Sequence, residues 1–226
     1  MSKGLFVVFD GPDFSGKTIL INHYSHRMYE SGFDVQICKA IGEGETGMAI
    51  RNILLNFKNE KRMNPISEYL LFIAAMKESY ESVVKPGVAA GRIMVMDRYI
   101  YSTFIYQTLY TLKCVNNKTL SVDNTDLMSV MNLIKNMPIP DITAICKIGK
   151  STMLQNRESR GIPNFMDNFC VDNANAIIKE YNDLPDSILH KHNFHYIVNS
   201  RPYPKKATQL DSLIAKSKAT FEKKNG

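Results

Sequence analysis

Apolar residues fall along this chain in short solid runs separated by longer stretches with helical spacing. Leu5 to Phe9 is unbroken apolar sequence, as expected of a strand covered on both faces. From Ser15 to Glu30 the residues Ile19, Leu20, His23, Tyr24 and Arg27 recur at helical spacing, and Gly32 closes the segment. Asp34 to Ala40 predicts a second strand. Ile93–Met96, Ile142–Ile148 and His195–Val198 predict three more. Met48–Phe57 predicts a helix, and Ile66–Ala90 a long one, with Leu70, Leu71, Ala74 and Ala75 on one face and a kink at Pro86-Gly87. Thr125–Met137, Asn173–Leu184 and Lys206–Glu222 are also helical in pattern. Gly42–Gly47 predicts a flexible polar loop and Asn116–Asn124 the most exposed one.

Short apolar strands alternating with helices predict an α/β fold, a central parallel five-stranded sheet flanked by helices. The 226 residues, with no repeat and no low-complexity linker, suit a single domain, with room for a small lid. Ligands of such sheets bind beyond the carboxyl ends of the strands, so the residues just after each run are the first candidates for chemistry.

The first run leads into Gly11 to Thr18, GPDFSGKT. Gly11, Gly16, Lys17 and Thr18 satisfy G-x-x-x-x-G-K-[ST]. Glycine lets successive N–H groups converge on one anion, and the next helix adds its positive end. In such a P-loop Lys17 reaches the β- and γ-phosphates and the Thr18 hydroxyl holds Mg²⁺. A chance match in a chain of this length is on the order of one per cent, and the required strand and helix flank it. The Ile93–Met96 run leads into Asp97-Arg98-Tyr99. There Arg98 can grip a phosphate with two N–H groups while Asp97 orients a water on Mg²⁺. A GTPase would need a base-reading N-K-x-D, which is absent. A motor ATPase would usually end its strand in Asp-Glu.

The formal net charge of +6 suits an anionic ligand without being a nucleic-acid signature, and much of the excess lies in C-terminal lysines. Cys38, Cys114, Cys146 and Cys170 are scattered with no CxxC pair, and read as reduced cysteines in or near strands. His190–His195 (HKHNFH) is the one histidine cluster and lacks an accompanying carboxylate. No apolar run approaches a membrane span and no signal-peptide pattern opens the chain. The expectation is therefore a reducing intracellular setting, cytoplasmic or nuclear, with small-molecule nucleotides as partners and neither nucleic acid nor membrane.

Three stretches, FVVFDGPDFSGKT (Phe6–Thr18), Ser67–Gln107 and Pro140–Gly161, together resemble the thymidylate kinase family of P-loop nucleoside monophosphate kinases. The most specific element is DRY followed by Ser102, Tyr106 and Gln107. The resemblance implies transfer of the ATP γ-phosphoryl, with Mg²⁺, to the 5′-phosphate of dTMP or a related deoxypyrimidine nucleotide. It implies a lid at about residues 150–170 and a homodimer. The P-loop set would be Gly11, Asp13, Phe14, Ser15, Gly16, Lys17 and Thr18, with Thr18 and Asp97 serving the metal. On the acceptor side, Asp13 would meet the sugar 3′-hydroxyl, unless it merely caps the next helix. Phe72 would stack on the pyrimidine, unless it is plain core. Arg98 and Arg51 would contact phosphate, Ser102 would belong to the same wall, Tyr106 would pack on the deoxyribose, and Gln107 would lie near base or sugar. Phe14 stands where some members place a catalytic arginine. Because it carries no charge, the arginine would come from Arg157 or Arg160 in the lid. Asn199-Ser200-Arg201-Pro202 resembles the adenine-side loop or is an ordinary turn.

The chain also departs from the family. Met76 stands where an arginine usually reads the base carbonyl, with Lys77 adjacent. Lys39–Gly44 replaces the usual loop, and Lys147 stands where an acid is common. A methionine cannot donate a hydrogen bond, so the acceptor base stays open. Two rivals stay open as well: a deoxynucleoside kinase using Asp97 as base, and a catalytically inactive nucleotide-sensing module.

Overall fold

The computed structural model describes residues 3–56, 63–116, 124–159, 165–184, 193–198 and 204–226. Five strands form one parallel sheet in the order β2-β3-β1-β4-β5. They are β1 (Leu5–Asp10), β2 (Val35–Lys39), β3 (Ile93–Asp97), β4 (Ile142–Lys147) and β5 (Phe194–Val198). All five lie where the sequence predicts them; β1, β3 and β4 are nearly solid apolar runs because an inner strand of a parallel sheet has no solvent face, whereas the edge strands β2 and β5 are only half-buried. The registers Val7↔Val95 and Val7↔Ile142 put β1 at the centre.

Alternation along each strand divides the core in two. Leu5, Val7 and Phe9 turn to one face, where α1 (Lys17–Glu30) and α10 (Pro204–Asn225) pack with Ile93, Val95 and Ile197. Phe6 and Val8 turn to the other face with Met94, Met96 and Ile145. That second layer is built by α3 (Pro65–Ser79), α5 (Ile100–Asn116), α6 (Asn124–Lys135), α8 (Phe165–Asp172) and α9 (Ala174–Asp183). The remaining helices are α2 (Gly44–Asn56), α4 (Lys85–Ala89) and α7 (Lys150–Glu158).

Several expectations need correction. The buried face of α3 is Glu68, Tyr69, Ile73, Ala75 and Met76; Ala75 is inside as expected, whereas Leu70 and Ala74 are exposed. The exposed acidic and basic residues of this helix are too few to mark its outer face, so the sequence pattern misplaced it. In α1 the buried set is Leu20, Ile21, Tyr24 and Met28, with His23 and Arg27 outside. Gly42–Gly47 is not all loop, since α2 begins at Gly44, with Gly42 and Gly44 at φ 103° and 68° forming the turn into it. The break in the long helix falls one turn before Pro86, as a π-helical stretch over Tyr80–Val84. Proline's ring clashes with the carbonyl four residues back, and a widened turn relieves that clash. Cys170 is buried in a helix, not beside a strand, while Cys38 and Cys146 are buried in β2 and β4. Burial pushes the Cys38 and Cys146 thiols up to about 12 and that of Cys170 to about 11, so all three are unreactive thiols. No helix among the described residues is long and apolar enough to cross a membrane.

The start of β1 is clamped. Gly4 N–H donates to Val88 O at 2.8 Å, and Leu5 N–H donates to Arg92 O at 3.1 Å. A Cβ on Gly4 would stand 1.8 Å from the Arg92 carbonyl oxygen. Neither group is a movable side-chain end. The substitution Gly4→Ala is therefore expected to destabilise the protein by about 3 kcal/mol, the upper part of the overpacking range. Urea unfolding read by circular dichroism would check it.

Candidate active site

The site forms where β1 and β3 end side by side. At the end of β1 the chain turns through Gly11 (φ 149°), Phe14 (φ 63°) and Gly16 (φ 79°) into α1. A Cβ on Gly11 would lie 2.5 Å from the Cys146 carbonyl oxygen, so only glycine lets the loop pass β4 this closely. The loop folds around the Lys17 ammonium, which donates to Gly11 O (3.1 Å), Pro12 O (2.8 Å) and Ser15 Oγ (3.5 Å). Burial pulls the Lys17 pKa below its ordinary value, and the Arg98 charge acts in the same direction. Thr18 is exposed on the first turn of α1.

At the end of β3, Arg98 adopts φ 67°, a costly conformation for a residue with a side chain. Its N–H donates to Phe9 O at 2.8 Å, tying the two strand ends together. Its guanidinium Nη1 donates to Gly11 O (3.2 Å) and Ser102 Oγ (3.0 Å), and Nη2 donates to Asp13 Oδ1. Burial opposes the Arg98 charge, but the Asp13 carboxylate and the oxygens around it more than offset that and fix the guanidinium in its charged form. The Tyr106 hydroxyl accepts from Asp13 N–H at 2.9 Å. The ring lies 5.8 Å from Arg98 Cζ.

One buried group underlies both loops. Asp10 is fully buried and accepts from the backbone N–H groups of Gly11 (2.7 Å), Tyr99 (3.0 Å) and Ser102 (3.1 Å). It also accepts from the Ser102 hydroxyl and from the Tyr181 hydroxyl (2.9 Å). Tyr99 and Ser102 flank the start of α5, so this carboxylate caps that helix from outside.

Beyond Arg98 opens a cavity of 340 Å³. Its cationic wall is Lys39, Arg51 and Arg98. Its apolar lining includes Ala40, Ile41, Leu55 and Phe72, and Asp13, Asp97, Ser102, Thr103, Tyr106 and Gln107 complete it. Arg51 crosses over Gly42 and donates to Ile41 O at 3.0 Å. The volume and the split between charged and apolar walls suit a flat heterocycle carrying an anion.

Comparison with known proteins turns this geometry into a family assignment. A family model described as thymidylate kinase matches residues 9–203. The chain is 32% identical over 172 residues to the thymidylate kinase of Mycoplasma genitalium, covering 75% of each chain. It is 28% identical over 191 residues to that of Mycoplasma pneumoniae, covering 83% of this chain and 85% of the other. It is 35% identical over 107 residues to that of Caulobacter vibrioides, covering 47% and 51%. The chain belongs to the thymidylate kinase family. It is thus a phosphotransferase, and the fold expected from the alternating pattern is that of the family.

Of the family residues singled out in the sequence, Asp13, Arg51, Phe72, Asp97, Arg98, Ser102, Tyr106 and Gln107 all line the same cavity. Others stand elsewhere. Met76 is fully buried behind the wall, where its sulfur lies 3.7 Å from the Thr103 hydroxyl. Phe14 is buried in the core, and it is its backbone carbonyl that is engaged, accepting from Asn156 Nδ2 at 2.8 Å. Lys77, the charged neighbour of the missing arginine's position, pairs instead with Glu81 at 2.8 Å on the outer face. Lys147 turns toward β5, with its ammonium 3.9 Å from the Tyr196 ring centre. Arg157 donates from Nη2 to Asn168 Oδ1 at 3.5 Å, and its Nε is buried without a hydrogen-bond partner. Arg160, Ser200, Arg201 and their neighbours Asn199 and Pro202 lie outside the described residues, as do His190 and His192.

Sequence reasoning missed Asp10, Tyr181, Thr103 and Glu68. Asp10 carried a signal, a lone carboxylate ending an apolar strand just before the glycine loop. Tyr181 carried none, because it meets Asp10 across 171 residues.

Replacing Asp10 by Asn puts an amide N–H₂ among donors. Asp10→Asn is expected to destabilise the fold by about 3 kcal/mol. It should also lower kcat for phosphoryl transfer while the urea m-value stays near wild type; denaturant titration and steady-state assays would check both.

Proposed function

We propose that the protein transfers the γ-phosphoryl of ATP to the 5′-phosphate of dTMP or a closely related deoxypyrimidine nucleotide, giving the diphosphate and ADP. The observation that carries this reading is the junction of two anion-binding features. The Lys17 loop and the Arg98 guanidinium share Gly11, whose carbonyl accepts from both side chains. A phosphate held by Lys17 and one held by Arg98 would therefore meet end to end, as in-line transfer requires. The relatives' printed name, thymidylate kinase, supports the same substrate.

In this reading an acceptor phosphate oxygen attacks the γ-phosphorus as the bond to the ADP oxygen breaks. Lys17 and Arg98 hold the charge that spreads over the transferring oxygens. Arg51 steadies the acceptor phosphate. Phe72 stacks on the base, Tyr106 packs on the sugar, and Gln107 faces the base edge. Thr18 and Asp97 would hold Mg²⁺, which when bound neutralises charge between donor phosphates. Asp97 Oδ1 is buried with no hydrogen-bond donor, which fits a carboxylate that serves a cation or its water. The described residues contain no cluster of three metal-ligating side chains, so the remaining ligands would be phosphate oxygens and water.

We assign the lid to about residues 150–170. Support comes from α7, where Asn156 grips the Phe14 carbonyl of the P-loop and the adjacent Arg157 keeps a buried Nε unpartnered. Arg157 would bring to the transferring group the charge that Phe14 does not supply.

The test is ADP formation from ATP·Mg²⁺ with dTMP, dUMP, dCMP, dGMP, 5-hydroxymethyl-dUMP, UMP and thymidine. Turnover with dTMP and neighbouring deoxypyrimidine nucleotides is expected. Activity with thymidine alone, or ATP binding without any acceptor-dependent turnover, would refute the reading. Lys17→Met should lower kcat about 10³-fold or more with little change in melting temperature. Arg157→Ala should lower kcat about 10²-fold or more while KM for ATP moves less than about threefold. Should Arg157→Ala leave kcat near wild type, the lid arginine lies elsewhere.

A further inference from the structure

The family arginine that reads the base is absent, and the methionine in its place is buried behind the cavity wall. Discrimination between bases must therefore come from the polar side chains that remain there. Gln107 is one of them, and it is only 4% exposed. A neutral amide is ambiguous at a base edge, because one end donates and the other accepts. Rotation by half a turn would exchange an acceptor for a donor and reverse the preferred pyrimidine.

The amide is not free to make that turn. Gln107 Nε2 donates to Glu68 Oε1 at 2.9 Å, and Glu68 is itself only 6% exposed. A carboxylate only accepts, so a rotated amide would set oxygen against oxygen inside the protein. The two residues come from different helices, Glu68 on the buried face of α3 and Gln107 on α5. On α3, Phe72 stands one helical turn beyond Glu68 and lines the same cavity. The helix that supplies the stacking ring thus also fixes the amide.

We propose that Glu68 is a specificity-positioning residue, locking the Gln107 amide so that its oxygen accepts from the N3–H of thymine or uracil and opposes the N3 lone pair of cytosine. The inference rests on the kinase reading of this cavity and adds to it the means by which the base is chosen. Glu68 touches no reacting atom. Its effect is to remove one of two amide orientations.

The decisive variant is Glu68→Gln in the full chain. A glutamine at this position can either accept from or donate to Gln107, so both orientations of the amide become available. The ratio of kcat/KM for dTMP over dCMP is expected to fall at least about tenfold, with the larger part of the dTMP loss in KM and with KM for ATP within about twofold. The exchanged pair, Glu68→Gln with Gln107→Glu, restores a donor facing a carboxylate and leaves an acceptor toward the base. It should recover most of the dTMP preference, a result that simple loosening of the helix pair would not give. An unchanged dTMP-to-dCMP ratio in a folded Glu68→Gln protein would overturn the lock while leaving the kinase reading intact. If that variant does not fold, the exchanged pair decides: a folded protein that has lost preference for dTMP overturns the proposal. A wild-type protein inactive with every deoxypyrimidine nucleotide would sink the kinase reading and the lock with it.

Discussion

A buried carboxylate is expensive, and Asp10 is tolerable only because three backbone N–H groups and two hydroxyls converge on it. That requirement organises the site. Gly11 N–H can reach Asp10 only if the P-loop leaves β1 at a particular angle. Tyr99 and Ser102 can reach it only if α5 begins directly beside that loop. Tyr181 brings α9 to the same point. The guanidinium of Arg98, 4.0 Å away, then has a fixed negative neighbour as well as Asp13. The Lys17 loop and the Arg98 guanidinium, distant in sequence, are thereby held in one frame, both donating to the Gly11 carbonyl. Pre-organisation of this kind is where enzymes of phosphoryl transfer gain most of their rate.

The two strained residues make sense within that frame. Phe14 and Arg98 both have positive φ without being glycine. At Arg98 the strain turns the chain so that its N–H reaches Phe9 O while its side chain faces Gly11 and Asp13. At Phe14 it buries the ring and leaves the carbonyl pointing at Asn156. In each case one residue serves two directions at once, which an extended or helical backbone would not permit.

Legibility in the sequence followed the range of the forces. Strands buried on both faces were readable because their burial leaves an unbroken apolar run, as at Leu5–Phe9 and Ile93–Met96. The glycine loop was readable because its chemistry is contiguous. The buried face of α3 was not, because Glu68 is a charged residue on the inside and Leu70 an apolar one on the outside. The α2 start at Gly44 was hidden by three glycines that read as loop. Asp10 and Tyr181 form a contact across the whole fold, and no local pattern encodes it. Most acceptor-side residues named by the resemblance do line the cavity, but Met76 does not: it is fully buried, with Thr103, which does line the cavity, in contact with its sulfur.

That burial keeps Met76 apart from the frame built around Asp10. Lys17, Arg98 and Asp10 are coupled through Gly11 and lie at the strand ends. The part of the cavity lined by Phe72, Thr103 and Gln107 is built separately, by side chains of α3 and α5. A methionine in place of arginine removes a donor but leaves the apolar volume filled, with its sulfur near the Thr103 hydroxyl. Nothing in the Asp10 frame has to move in response. On the proposed reading, affinity for the phosphates and choice of base would be set by different contacts. On that reading the second could drift without disturbing the first, as long as one buried polar group on those two helices is held in a single orientation, as Glu68 holds Gln107.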